Sequence, residues 1–175
     1  MTKTAKPIIF KTTLVKPSDD SGWHFIPVEA KIAEKFEKVE SSRRVVCTIN
    51  DEITFQCALM PSGGEFFIII NKAKRDKLGI VAGDKITVSL ITDDSKYGLP
   101  MPPEFKEVLK QDKVGDKLFH ALTKGKQRSI LYFLGKVKDI DKRIHQALIV
   151  IEHLKDNDGK IDDKKLQAEL KRPIW

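Results

Sequence analysis

Hydrophobic residues in the first half of the chain recur mainly at every second position, which is the spacing of strands with one buried face. The clearest example spans residues 65–94, where an apolar run is followed by a short basic segment. Ile86, Val88 and Leu90 then alternate with polar residues. This order predicts a strand, a short helix, a tight turn and a second strand.

The short helix is bounded by residues that suit its two ends. Asn71 can accept a hydrogen bond from the first turn of the helix. Gly79 can end the helix in the left-handed conformation, which glycine adopts without steric cost. Gly83 and Asp84 form the turn that follows. We therefore expect a structural role for Gly79, Gly83 and Asp84, and Gly83 is a candidate for positive φ.

The same unit occurs earlier in the chain. A short apolar strand at 22–28 leads into a charged helix at 29–36 and a strand at 43–49, and Ala30-Lys31 stands in the place of Ala73-Lys74. The copies are offset by about 43 residues at their first strands and by about 41 at the last, which indicates a duplicated supersecondary unit. Two such units can pair about a pseudo-two-fold axis, as two subunits do in a dimer. A sheet closed in this way has no open edge, so we expect a monomer.

A first strand at 8–15 and a hairpin complete this half of the chain. The hairpin joins strands at 44–49 and 53–59 through Asn50-Asp51-Glu52. The two-residue period predicts an inward set made of Val45, Cys47, Ile49, Ile53, Phe55, Cys57 and Leu59. Cys47 and Cys57 lie in adjacent strands, and we interpret them as two small buried side chains rather than as a disulfide.

The hydrophobic period changes at residues 97–103, where proline and glycine are frequent. We place a domain boundary here, with a β-rich domain at 1–97 and a helical domain at 98–175. Helices are predicted from Pro103 onward, at 114–122, at 124–138 with Thr123 as cap, from Asp139 or Asp141 to Gly159, and at 162–170. The predicted inward residues are Phe105, Val108, Leu109, Leu118, Ala121, Leu122, Ile130, Leu131, Phe133, Leu134, Val137, Ile140, Ile144, Ala147, Leu148, Ile151 and Leu154. Trp175 is expected either to dock onto this domain or to project from its end.

Composition indicates a small globular protein with much charged surface. Hydrophobic residues make up 41% and charged residues 33% of the 175 positions. No apolar run reaches the roughly 18–20 residues of a membrane span, and the N-terminus lacks the apolar region of a secretory signal. We therefore expect a cytoplasmic protein without a membrane span.

No motif in the sequence predicts a reaction, a cofactor or a metal site. Residues 154–165 have part of the spacing of a calcium loop, but Leu154 and Lys165 stand where that loop needs oxygen ligands. The spacing of a metal site is also missing around the histidines, which are His24, His120, His145 and His153. P-loop, dinucleotide and G-x-S-x-G motifs are absent. Catalytic residues can still meet from distant positions, so an enzyme with a site in the cleft between the domains is one alternative.

The net charge of +7 is concentrated in one segment of the chain. Residues 124–143 hold seven basic and two acidic side chains. We predict a surface for nucleic acid or another anionic partner, such as acidic lipid, made of Lys124, Lys126, Arg128, Lys136, Lys138, Lys142 and Arg143. The alternative is an ordinary solvated helix face. A smaller basic candidate consists of Lys72, Lys74, Arg75 and Lys77.

The stretch I-I-I-N-K-A-K-R-D-K-L-G-I-V-A-G-D-K-I-T-V resembles the core of the AbrB/MazE-type swapped-hairpin barrels, with Leu78-Gly79-Ile80 and Gly83-Asp84 matching their motif. Those proteins are DNA-binding dimers in which each subunit contributes one copy. With two copies in one chain, residues 8–95 are more similar to their single-chain relatives, a small double-split barrel domain of unknown function found in bacteria. This resemblance implies no catalytic activity, cofactor or substrate, and DNA binding does not follow from the fold alone.

Residues from Pro103 onward are similar to the YdeI/OmpD-associated, or bacteriocin-protection, helical domain. Lys138 and Arg143-Ile144 match that family's pattern, whereas Asp141-Lys142 replace its Thr-Arg pair. We therefore expect an α+β chain, in which an N-terminal double-split β-barrel of two pseudo-two-fold strand–helix–strand units precedes a C-terminal α-helical bundle. The expected function is a non-enzymatic binding or stress- or bacteriocin-protection role, with nucleic-acid binding through the basic helices as the alternative.

Overall fold

The computed structural model describes residues 6–173, so the prediction for Trp175 lies outside the described residues. The chain forms two compact units, Met1–Asp94 and Ser95–Trp175. The division falls three residues before the boundary predicted from the change of period.

The first unit is a six-stranded antiparallel sheet that curls into a nearly closed barrel. Its strands are β1 (Ile8–Thr13), β2 (Phe25–Val28), β3 (Arg43–Ile49), β4 (Ile53–Ser62), β5 (Glu65–Ile69) and β6 (Lys85–Thr92). They are ordered β1-β6-β3-β4-β5-β2. The two ends of this order meet at Val15 and Phe25, whose backbones exchange hydrogen bonds of 2.9 and 2.8 Å. The predicted double-split barrel is thereby confirmed.

The strand pairings of the barrel have two-fold symmetry. Exchanging β1 with β4, β2 with β5 and β3 with β6 leaves every neighbouring pair in the strand order unchanged. The residue pairs follow the same rule, because Val15 lies opposite Phe25 in one half and Met60 lies opposite Phe67 in the other. The two halves of the chain therefore pair with each other, as the sequence repeat predicts.

Each half contains a long strand that changes partner along its length. β4 pairs with β3 as far as Leu59 and with β5 from Met60 onward. The segment after β1 does the same, because Leu14 bonds to Asp84 and Val15 to Phe25. Leu14 and Leu59 stand at the two changes of partner, and both are buried. These switches bend the sheet around one core.

The barrel core consists of the inward residues of all six strands. Val45, Cys47 and Ile49 are fully buried, as predicted for β3. Opposite them on β4, Phe55 and Cys57 are only half-buried. Both cysteines are free thiols, and the hydrogen bond that the Cys47 thiol makes with Cys57, together with burial, raises the pKa of Cys47.

The two short helices of the barrel differ in length. α2 (Lys72–Leu78) has both predicted caps: Asn71 accepts from the Lys74 N–H at 2.9 Å, and Gly79 ends the helix at φ 65°. α1 (Ala30–Ala33) is only four residues long, so the helix predicted at 29–36 is too long. The Glu29 side chain does not cap α1, and the Glu65 carboxylate instead accepts from the Ala30 N–H at 2.7 Å.

The second unit is helical and confirms the predicted bundle. It contains α3 (Pro103–Gln111), α4 (Lys113–Ala121), α5 (Lys124–Gly135), α6 (Ile140–Asp156) and α7 (Asp163–Glu169). Thr123 caps α5, and Asp139 rather than Asp141 caps α6. The prediction that α5 extends to residue 138 is wrong, because the chain turns after Gly135 and the Val137 carbonyl accepts hydrogen bonds from the Arg143 side chain.

The predicted inward face is wrong at three positions of α4 and α6. Ala121 is exposed, and Gly115 and Phe119 are the buried residues of α4. Ile140 and Leu148 are 58% and 51% exposed. The buried residues of α6 are Gln146, Ala147, Ile149, Val150, Ile151, His153 and Leu154. α6 packs against α3, α4, α5 and α7, so it is covered from several sides and a single apolar stripe does not describe it.

Two buried polar side chains connect the helices of this unit. Gln127 donates to the carbonyls of His120 and Leu122 at 3.3 and 3.1 Å, which satisfies the end of α4. His153 bonds to the Glu169 carboxylate at 2.7 Å and accepts from the Asp162 N–H at 3.1 Å. The start of α7 is thereby tied to α6. Among residues 6–173, no helix has the length and apolar character needed to cross a membrane.

Candidate functional site

The basic segment at 124–143 is divided by the fold into two groups. Lys124, Lys126 and Arg128 lie in the first turns of α5, and Lys136 follows the end of the same helix. At about 1.5 Å per residue, Lys124 and Lys136 are about 18 Å apart along the helix axis. The five lysines of the predicted surface are all exposed. They therefore form a group at each end of α5 rather than one continuous patch.

Arg143 does not belong to the exposed part of this surface. Its guanidinium bonds to the Glu104 carboxylate at 3.0 Å, and its Nε donates to the Val137 carbonyl at 2.9 Å. The Arg143 side chain is 18% exposed and that of Glu104 is 16% exposed. Arg143 therefore ties the start of α6 to α3 and to the turn after α5. Its guanidinium is therefore used in structural contacts and is not presented to an anion in solvent.

The group at the start of α6 surrounds a small cavity, which we call the lysine pocket. It has a volume of about 430 Å³ and is lined by Phe133, Lys136, Val137, Lys138, Asp139, Lys142 and Gln146. Gln146 is 8% exposed, and its side-chain oxygen lacks a hydrogen-bond partner among the described residues. The positive end of the α6 dipole also faces this region. Its three lysines exceed its one carboxylate, so the pocket favours anionic groups.

An apolar cavity adjoins the lysine pocket. It has a volume of about 380 Å³, and its lining includes Leu99, Met101, Leu131 and Tyr132. Lys136 lines both cavities, and its ammonium lies 4.3 Å from the centre of the Tyr132 ring. Tyr132 is 55% exposed. A cationic and an apolar binding surface therefore meet at Lys136.

The smaller basic candidate on α2 is largely engaged within the barrel. Lys72 pairs with Asp76 at 2.6 Å, and Arg75 donates to the Ile70 carbonyl at 3.0 Å. The Lys74 ammonium lies 4.9 Å from the centre of the Phe55 ring. Arg75 and Lys74 therefore contact residues of the barrel outside α2, whereas the Lys72–Asp76 pair lies on the exposed surface of the helix itself.

A third cavity, which is also cationic, was not predicted from the sequence. Tyr97 and His120 meet there, with 2.8 Å between the tyrosine hydroxyl and the histidine Nε2. The cavity is lined by Lys96, Tyr97, Met101, Lys106, Leu109, Lys110, Lys113, Asp116 and His120. Its lysines come from three separate segments, so no run of charge in the sequence marks it. The spacing of Asp116 and His120, four residues apart on one helix, was the available indication.

In the part of the chain that the structure describes, no three histidine, cysteine, aspartate or glutamate side chains are grouped so that they could hold a metal ion. His24 bonds to the Gly22 carbonyl, and His145 contacts the Arg172 carbonyl at 3.1 Å. His153 is buried between α6 and α7. The histidines thus stand in separate structural settings.

Comparison with known families agrees with the two-unit architecture. Residues 10–90 match the model of a domain of unknown function, DUF1905. Residues 99–157 match the model described as bacteriocin-protection, YdeI or OmpD-associated. A search of curated proteins found no match to the chain. The chain therefore contains a region that matches DUF1905, followed by a region that matches the bacteriocin-protection, YdeI or OmpD-associated family.

Proposed function

We propose that this chain is a non-enzymatic binding protein with a role in stress or bacteriocin protection. Its helical unit holds a segment of a protein partner that carries acidic side chains next to an apolar one. The observation that supports this proposal is the position of Lys136, which lines both the lysine pocket and the apolar cavity. The family description of residues 99–157 agrees with a protective role.

The lysine pocket would supply the charge recognition. Lys138 and Lys142 are exposed on the loop and first turn that frame Asp139, so their ammonium groups can reach a carboxylate on the partner. Hydrogen bonds to charged groups contribute roughly 1.5–3 kcal/mol each when they are well formed. The buried Gln146 amide adds a polar group at the base of the pocket.

The apolar cavity would supply the second half of the recognition. Its volume of about 380 Å³ is large enough to admit an apolar side chain such as leucine or phenylalanine. Burying such a side chain contributes about 1.5–3 kcal/mol. Because the cavity lies beside Lys136, the apolar residue of the partner must lie close to an acidic one.

The proposal can be tested with the full chain and a fluorescent peptide in which leucine and phenylalanine alternate with glutamate. We expect saturable binding, which Lys138→Glu with Lys142→Glu should weaken at least tenfold. Tyr132→Ser should weaken it by a smaller factor. A matched control is Lys160→Glu with Lys164→Glu, which makes the same charge change at exposed lysines outside both cavities.

Equal losses in the control and the pocket variants would refute recognition at this site. So would equally tight binding of a peptide with lysine in place of glutamate. Turnover of a substrate by the purified protein, abolished by a single point substitution, would refute the non-enzymatic role.

Nucleic-acid binding is a second candidate, supported by the two groups of lysines at the ends of α5. Their separation of about 18 Å along the helix could place cations against phosphates at two points of a duplex. Binding of this kind weakens steeply as salt rises. We expect Lys124→Glu with Lys126→Glu to abolish retardation of duplex DNA or RNA at low salt. Arg143 should be left intact in this test because it holds Glu104. A parent chain that retards neither nucleic acid would exclude this candidate.

A further inference from the structure

The cavity beside Tyr97 contains a chain of hydrogen bonds that ends at a hydroxyl. Nδ1 of His120 lies 2.9 Å from the Asp116 carbonyl oxygen and 3.1 Å from the Asp116 carboxylate. Both oxygens can only accept, so Nδ1 carries the proton. Nε2 of His120 is then an acceptor in the neutral ring, and the Tyr97 hydroxyl donates to it across 2.8 Å.

The rings that carry this chain are held in place by aromatic packing. Phe119 packs edge-on against His120 at 5.1 Å between centroids, and edge-on against Phe105 at 5.0 Å. Phe105 and Phe119 are fully buried. Tyr97 also contacts Phe119, at 6.3 Å. The Tyr97 hydroxyl and the His120 ring are therefore fixed relative to each other before any ligand arrives.

The cavity around them has a volume of about 340 Å³ and is strongly cationic. Lys96, Lys106, Lys110 and Lys113 line it, and all four are exposed. The one carboxylate in the lining belongs to Asp116, which already faces Nδ1 of His120. An anion entering the cavity would meet four ammonium groups and one hydroxyl.

We propose that this cavity binds the phosphate group of a small molecule and that binding adds one proton to His120. The proton comes from solvent and attaches to Nε2, which changes from acceptor to donor. Nε2–H then donates to the Tyr97 oxygen, and the Tyr97 O–H is free to turn and donate to a phosphate oxygen. The bond between Tyr97 and His120 is kept but its direction is reversed, so one proton is taken up for each phosphate bound.

Three considerations support this coupling between phosphate binding and proton uptake. Histidine is the side chain whose charge normally changes near neutral pH. Tyr97 and Asp116 contact the ring nitrogens of His120, and four lysines line the same cavity. A bound dianion would offset the repulsion between those lysines and the imidazolium. The Tyr97 hydroxyl has a single proton, so it can serve either His120 or the ligand, and the charge state of His120 selects which. This site shares Met101 with the apolar cavity of the proposed function, but its charged and hydrogen-bonding residues are different and the inference does not depend on that function.

Sulfate is the sharpest probe because its charge stays constant between pH 6 and pH 8, whereas phosphate itself gains negative charge over that range. Calorimetry with the full chain should show sulfate binding about tenfold more tightly at pH 6 than at pH 8, a factor within the usual range for two coupled binding events. Repeating the titration in two buffers of different ionisation enthalpy should reveal proton uptake. Pyrophosphate is expected to bind more tightly than sulfate because it can contact more of the lysines.

Three variants separate the parts of the site. Lys106→Gln with Lys110→Gln should weaken binding at both pH values. His120→Gln should retain binding but lose its pH dependence, and Tyr97→Phe should weaken binding mainly at pH 6. Lys160→Gln with Lys164→Gln is the matched control and should bind like the parent chain.

The proposal is overturned if the parent chain binds sulfate equally at both pH values. It is also overturned if the Lys106/Lys110 variant binds as well as the control, or if the His120 ring signals in NMR do not move when sulfate is added. Failure of the peptide experiment on the lysine pocket would not affect these results, because the two sets of substituted residues do not overlap.

Discussion

The rings of Phe25 and Phe67 lie 4.6 Å apart between centroids, and the two residues occupy the same position in the two halves of the barrel. Each lies opposite a residue of the long strand in its own half, Val15 or Met60. Phe25 and Phe67 also flank the point where β2 and β5 pair through Ile26 and Ile68. The internal two-fold axis thus brings a residue into contact with its own counterpart.

This contact predicts energetic coupling between the two halves. Phe25→Leu and Phe67→Leu should each lower the free energy of unfolding by about 1–2 kcal/mol. A double-mutant cycle measured by urea unfolding should give a coupling energy of about 0.5–1.5 kcal/mol, the range for aromatic pairs. Phe66→Leu is a suitable control, because Phe66 points to the opposite face of β5 and should not couple to Phe25. Coupling as large with Phe66 as with Phe67 would argue against a direct ring contact.

Gly83 is expected to be essential for the turn before β6. It has a φ of 97°, which side-chain-bearing residues rarely adopt, and its N–H donates to the Leu14 carbonyl at 2.8 Å. Gly83→Val should therefore destabilise the barrel by roughly 1–3 kcal/mol. Space does not limit this position, since an added Cβ would meet no atom within 4 Å among the described residues. A melting temperature equal to that of the parent chain would show that this conformation carries no strain.

Gly115 and Gly125 offer a matched pair of substitutions to alanine in helices. A Cβ at Gly115 would overlap the Ile151 side chain, whereas one at Gly125 would meet no neighbour. We expect Gly115→Ala to destabilise the helical unit by about 1–3 kcal/mol through overpacking. Gly125→Ala should stabilise it by about 0.5–1 kcal/mol by reducing the freedom of the unfolded chain. Chemical unfolding of both variants checks the sign of each change, and equal signs would contradict the close approach of α4 and α6.

Acid is expected to weaken the helical unit through Glu104. A hydrogen bond from its own backbone N–H and the Arg143 guanidinium hold the pKa of this carboxyl below its ordinary value of 4.5. A carboxyl with a lowered pKa in the folded state adds stability above the ordinary pKa and loses it as pH falls through the folded-state pKa. Unfolding free energy should therefore decrease between about pH 5 and pH 3.

The contribution of Glu104 can be isolated by substitution. Glu104→Gln should be less stable than the parent chain at pH 6 and should lose less stability on acidification. Glu107→Gln, an exposed change on the same helix, should follow the parent curve. The pKa of Asp112 is lowered by its hydrogen bonds with Lys155 and the Gly115 N–H. Asp112 should therefore account for part of the stability that Glu104→Gln still loses on acidification. Parallel curves for Glu104→Gln and the parent would rule out this role for Glu104.

The barrel was predictable from the sequence because its information is local and repeated. Alternation at Ile86, Val88 and Leu90 and the caps at Asn71 and Gly79 each specify a nearby feature of the backbone. The contact at the start of α1 was not predictable, because the Ala30 N–H donates to Glu65 on a distant strand. The prediction of the inward face of α6 was wrong for a related reason, because the helix contacts several other helices. Leu148 lies on a part of α6 that they leave exposed.

The candidate sites were predictable only in part. The cluster of lysines near Lys138 was visible in the sequence as a run of positive charge. The ion pair that turns Arg143 away from this surface is formed with Glu104, which is 39 residues away. The contact of Tyr97 with His120 joins residues 23 positions apart. Local patterns do not specify such pairs, which arise only when the helices pack.

The strand order of the barrel has a consequence for how this chain is made. β6 is the last strand to leave the ribosome, yet it lies between β1 and β3. Until it emerges, both of those strands present unsatisfied edges to solvent or to other nascent chains, a situation that favours misassembly. The barrel should therefore close in a single late step. Chaperones should be needed to cover the open edges of β1 and β3 in the nascent chain until residue 92 has left the exit tunnel.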